Sequence, residues 1–150
     1  MIRCLLALLL FLPATFTVAQ HTVFPEVDIS SRYIVRIELH TVDELMNSLL
    51  RAEKLQREGS FIVGRDAPIA FVLHGPEAKA LFLNNYAENK SLVDLAARLS
   101  AFDVVDIKVC ETWSGSQGLD VSRLPPFIGT IPYGPAEEKR LLEQEKYVYF

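Results

Sequence analysis

Three side chains suited to thiol or proton chemistry stand where extended apolar runs stop: His40, His74 and Cys110. Tyr133 closes a fourth such run, Phe127–Pro132. An imidazole within hydrogen-bond reach of a thiol can take its proton and leave a nucleophilic thiolate. The chain's other cysteine, Cys4, falls in a segment expected to be removed. Cys110 is then left without a partner for an internal disulfide, so any chemistry it performs is with another molecule. The same residues admit a structural reading. Cysteine is among the most buried residue types and can be a small apolar plug, and a lone histidine more often packs or caps than catalyses. Trp113, the only tryptophan, can lie over the thiol as an apolar lid or fill a gap at the edge of a sheet.

A third chemistry, a metal-dependent hydrolase built on His40 and His74 with Cys110 as a further ligand, is weaker, because the short His/Cys spacings of structural zinc are absent. No metal and no organic cofactor is expected. The chain also lacks Cys-x-x-Cys, Gly-x-Ser-x-Gly, a phosphate-binding glycine loop and a dinucleotide fingerprint. Acidic and basic residues are interspersed around a formal net charge of −4, which argues against nucleic acid and anionic membranes as partners.

The first residues have the form of a secretory signal. Arg3 is followed by an uninterrupted apolar run from Leu5 to Leu12, then Pro13, with small residues Thr17 and Ala19 ahead of an expected cut between Ala19 and Gln20. The run is shorter than the roughly 18 to 20 residues that cross a bilayer. Residues 1–19 are therefore expected to be a cleaved signal peptide, 20–31 an irregular lead-in, and 32–150 a single domain in the periplasm or outside the cell, with no membrane segment after cleavage.

The elements that would position the chemistry alternate along the chain. Arg32–His40 is rich in branched residues and reads as a strand. Thr41-Val42-Asp43-Glu44 is a capping box, and Val42, Leu45, Met46, Leu49 and Leu50 give a helical apolar stripe ended by Gly59. Phe61–Val63 is a short run ending at Gly64, and the sequence predicts Ala67–His74 as a strand covered on both faces, Glu77–Tyr86 as a helix carrying Leu81 and Phe82 inward, and Ser91 as the start of another helix. Val104–Cys110 predicts a strand, Glu111–Gly118 a loop, and Phe127–Tyr133 a further strand. Gly134-Pro135 opens a helix, and Tyr147–Phe150 closes the chain as an edge strand. Such alternation predicts a flavodoxin-like three-layer α/β domain: a mostly parallel sheet of about five strands with helices on both faces, whose carboxyl edge gathers His40, His74, Cys110 and Tyr133.

The order of these features resembles the DsrE/DsrF-like family of small α/β proteins associated with sulfur transfer. The likeness rests on the helix from Val42 to Gly59, the strand ending His74-Gly75, the segment Val104–Cys110 with Gly118 after it, Ile131-Pro132, and the aromatic ending Tyr147-Val148-Tyr149-Phe150. It implies a homo-oligomer, trimer or hexamer, a cysteine that carries sulfane sulfur as a persulfide without a cofactor, and a partner protein that donates or accepts the sulfur. Two functions are carried forward. One is sulfane-sulfur handling or thiol exchange through Cys110, with His40, His74, Trp113 and Tyr133 as binding residues; the other is a non-catalytic ligand-binding or assembly module with a structural cysteine.

Overall fold

A computed structural model of the chain describes residues 32–150; the expected signal peptide and lead-in lie outside the described residues. Five strands form one sheet in the order β4-β3-β2-β1-β5, with every pair parallel. They are β1 (Tyr33–Ile34), β2 (Ile69–Leu73), β3 (Val105–Cys110), β4 (Gly129–Ile131) and β5 (Val148–Tyr149). The helices are α1 (Val42–Arg57), α2 (Lys90–Ala101), α3 (Glu111–Ser116) and α4 (Gly134–Glu143), with short 3₁₀ segments between β2 and α2. This is the flavodoxin-like three-layer architecture, although β5 occupies the edge that flavodoxin gives to its second strand.

Alternation along the strands explains the layers. Ile69, Phe71 and Leu73 of β2 and Val105, Ile107 and Val109 of β3 point into the larger core, which α1, α2 and the 3₁₀ segment complete. On the other face Ile34, Ala70, Val72 and Ile131 meet Leu141 of α4. That face is narrower, because β3 offers it Asp106 and Lys108, and Lys108 Nζ lies 3.2 Å from Asp106 and 3.6 Å from Glu137. Burial opposes the Lys108 charge, but the two carboxylates outweigh it and hold the ammonium above its ordinary range.

Several local expectations are corrected. The first strand is only Tyr33–Ile34, with Val35 N–H still bonded to Ala70 O. Beyond it the backbone is claimed by the α1 cap. The short run Phe61–Val63 stays outside the sheet, where Val63 makes a single bridge to Asp66. The helix expected over Glu77–Tyr86 is instead two 3₁₀ pieces, Pro76–Leu81 and Leu83–Asn85, broken by extended backbone at Phe82 (φ −72°, ψ 138°). The break allows the adjacent Leu81 and Phe82 both to be buried. α2 begins at Lys90 after Asn89, so Ser91 is not its cap, while Leu92, Leu95, Ala96 and Leu99 are buried as the periodicity requires. In α1 the buried stripe is Leu45, Leu49 and Ala52, and Val42 and Leu50 remain exposed. The segment after Cys110, expected to be a loop, turns directly into α3.

Candidate functional site

The connection after β3 runs into α3, whose Trp113 packs on the larger core, whereas the connection after β4 runs into α4 on the opposite face. Between two such strands the loops part and leave a crevice, the place where open α/β sheets accommodate ligands. A cavity of about 220 Å³ occupies it, lined by His74, Cys110, Thr112, Trp113, Ser116, Tyr133 and Pro135. Three separate strand ends, those of β2, β3 and β4, contribute to it. His40 approaches from behind, its ring centroid 5.0 Å from that of His74.

Cys110 is 1% exposed, and its sulfur is held by backbone. Sγ accepts hydrogen bonds from Trp113 N–H at 3.4 Å and Gly134 N–H at 3.2 Å, one donor from each wall of the crevice. The Pro132 carbonyl, 3.9 Å away, can accept from the thiol. Neither imidazole is hydrogen-bonded to the sulfur. Gly134 is needed for this approach, since a Cβ there would lie 2.8 Å from His74 Cβ. Trp113 is half-buried beside the thiol, and Tyr133 is 55% exposed at the cavity mouth.

The histidines are held more firmly than their strand-end positions suggest. His40 Nδ1 is 3.0 Å from Glu77 Oε2, and Glu77, fully buried, also accepts from Gly75 N–H at 3.1 Å through its other oxygen. Gly75 is again a contact requirement: a Cβ would stand 2.3 Å from His40 Nδ1. His74 Nε2 faces Glu138 Oε2 at 3.8 Å, and Glu138 is in turn held by the Tyr149 hydroxyl at 2.9 Å. Arg36 lies over the Tyr149 ring at 4.2 Å. A chain of polar and ring contacts therefore runs along the carboxyl edge from β5 to the buried Glu77.

Glu77 gave no signal in the sequence, where an acid near a helix start reads as a favourable partner of the helix dipole. His40 itself has left-handed backbone (φ 52°), uncommon for a residue with a β-carbon. Glu44 holds the backbone just ahead of it. Thr41 Oγ1 accepts Glu44 N–H at 3.2 Å, one half of the expected capping box. The carboxylate, however, reaches back to Glu38 N–H at 2.7 Å and Leu39 N–H at 2.8 Å, with His40 N–H also contributing. Partial burial opposes the Glu44 charge, but these backbone donors prevail and hold the carboxyl below its ordinary range.

A group with a lowered folded-state value adds stability above the unfolded value, and this is lost as pH falls through the folded one. Glu44→Gln is accordingly expected to cost about 1–2 kcal/mol at neutral pH. The gap to wild type should close below about pH 4, in urea titrations at a series of pH values. A gap that is constant down to acid pH would remove the charge from this account.

Among the described residues no three His, Cys, Asp or Glu side chains converge as metal ligands, so His40, His74 and Cys110 do not form a zinc set here. No helix among the described residues is long and apolar enough to cross a membrane.

No family model matches the chain, and no curated protein matches it. Among solved structures it is similar to the protein of unknown function MTH1491 from Methanobacterium thermoautotrophicum, at a TM-score of 0.59 and 15% identity, over 80% of this chain and 97% of that one. At this identity the likeness speaks to the fold alone.

Proposed function

We propose that the protein accepts and passes on sulfane sulfur through Cys110, in the manner implied by its resemblance to the DsrE/DsrF-like family. The observation that carries this reading is the position of Sγ: at the carboxyl end of β3, receiving two backbone N–H groups from opposite sides of the crevice and bordering a cavity. Such donors favour negative charge on sulfur. A cavity of about 220 Å³ admits a terminal sulfur and part of its carrier. In the transfer the Cys110 thiolate attacks the outer sulfur of a persulfide or polysulfide. The donor's S–S bond breaks, its remaining thiolate leaves with the bonding pair, and Cys110 retains one sulfur atom as a persulfide. No external oxidant or reductant is needed. His40, His74, Trp113 and Tyr133 would bind and cover the incoming group.

A trimer or hexamer, a sulfur donor or acceptor protein, and export directed by residues 1–19 belong to the same proposal. Incubation of the purified chain from Gln20 onward with polysulfide, followed by intact mass measurement, tests the chemistry. One added sulfur atom per chain is expected, and Cys110→Ser should add none. Uptake that persists in the variant would refute the assignment.

One observation favours a second reading, a non-catalytic module with a structural cysteine: Cys110 is 1% exposed and its sulfur caps α3. That reading requires a thiol that iodoacetamide reaches only after unfolding. Native labelling within seconds would exclude it.

A further inference from the structure

We infer that Glu77 and His40 are positioning residues that orient His74 as the proton-exchanging group of the Cys110 cavity; the inference rests on the thiol chemistry proposed above and gives that site its acid and base. Three independent features of the chain converge on placing one imidazole. The Glu44 carboxylate holds the Glu38 and Leu39 N–H groups just ahead of the left-handed backbone at His40. Gly75 leaves the space in which the ring sits, with a would-be Cβ 2.3 Å from Nδ1. Glu77, 0% exposed, meets that nitrogen at 3.0 Å. A histidine that merely covered the surface would need none of them, and strained backbone of this kind gathers at functional sites.

The buried carboxylate dictates the chemistry of the ring. Its accessible partners are Gly75 N–H and His40, so the stable arrangement has Nδ1–H of His40 donating to Glu77. Glu77 then fixes the His40 ring, whose centroid is 5.0 Å from that of His74, and Glu138 lies 3.8 Å from His74 Nε2. A proton arriving on His74 Nε2 therefore faces the Glu138 carboxylate. The polar neighbours of Sγ are backbone N–H groups and a carbonyl, none of which is basic enough to take the proton away from the thiol. His74 lines the same cavity, and imidazole is the side chain suited to exchange a proton near neutrality. The cavity has room for a bridging water, which occupies about 30 Å³.

The proton balance closes. The Cys110 thiol releases its proton through water to His74, leaving a thiolate and an imidazolium. The thiolate takes the outer sulfur of a persulfide, and the departing thiolate receives the proton from His74, which returns to neutral.

The test is the rate of Cys110 alkylation by iodoacetamide across pH in the folded protein, beside polysulfide uptake. Wild type is expected to show an inflection in the range where imidazoles titrate. The charged and titratable groups facing the pair are Glu77 from the 3₁₀ segment, Glu138 from α4, Glu44 from α1, Cys110 from β3 and Tyr133 after β4. Glu77→Gln removes the carboxylate that fixes the His40 ring, so it should displace the inflection and slow labelling at neutral pH by about tenfold or more. His74→Gln, at a side chain 26% exposed and away from buried Glu77, should abolish the inflection, and it keeps the test open if Glu77→Gln fails to fold. Profiles of folded variants that match wild type would overturn the inference while leaving sulfur uptake standing. A wild-type thiol that shows the inflection but takes up no sulfur would support the inference and refute the sulfur reading. A native thiol silent to both reagents would overturn both.

Discussion

Gly75→Ala is expected to destabilise the fold by about 3–5 kcal/mol, combining the strain of an added carbon in a packed contact with the cost of a buried carboxylate that loses a hydrogen-bond partner. The added methyl would stand 2.3 Å from His40 Nδ1 and 2.5 Å from Glu77 Oε2, distances that no side-chain adjustment of a tenth or two of an ångström relieves. The ring must leave, and the carboxylate beneath it, 0% exposed, then keeps only the Gly75 N–H. The backbone conformation of Gly75 (φ −140°, ψ −175°) is open to alanine, so the whole effect is one of contact and charge. Gly59 provides the contrast. Its φ of +72° disfavours alanine, yet nothing lies within 4 Å of a Cβ there, so the same substitution should cost only about 1 kcal/mol. Urea unfolding of the two variants measures the difference. Equal costs would mean that the His40–Glu77 contact contributes nothing to the folded state.

Phe71→Ala should be comparably severe, also about 3–5 kcal/mol. Phe71 is 0% exposed in the middle of β2, level with Ile107 on β3, and faces the core beneath α1 and α2. A strand pinned on both sides by parallel ladders cannot slide to close the hole, so the transfer term and the cavity term both apply. The expected result is a lower urea midpoint with an unchanged slope. A loss under about 1 kcal/mol would show that the helices collapse onto the sheet when the ring is removed.

The parts of the fold legible in the sequence are those in which local pattern and tertiary demand agree. The apolar runs of β2 and β3 and the cap and stop of α1 are of this kind. Elsewhere the signals conflict. The branched residues of Arg36–Leu39 argue for strand, but Glu44 takes their backbone donors, and a side chain six residues away leaves no mark in a periodicity. Thr112, Ser114, Gly115 and Ser116 argue for loop, yet Cys110 supplies a cap and Trp113 an anchor on the core, enough for a short helix. The strand-end rule brings His74, Cys110 and Tyr133 to one cavity, with His40 behind them. It is silent on Glu77, because burial of an acid depends on a partner brought from the connection between β1 and α1.

Strand order also bears on how the nascent chain assembles. From β1 to β4 each strand pairs with the one made just before it, so the sheet can grow in step with the ribosome, each addition closing a modest loop. β5 breaks this sequence: it must return past three finished strands to reach β1, through Val148 N–H to Arg32 O and Phe150 N–H to Ile34 O. Closing the longest loop in the sheet for a two-residue strand is entropically the least rewarding step. The tail carrying Tyr149, which braces Glu138 beside His74, is thus the last piece to dock and the first to detach.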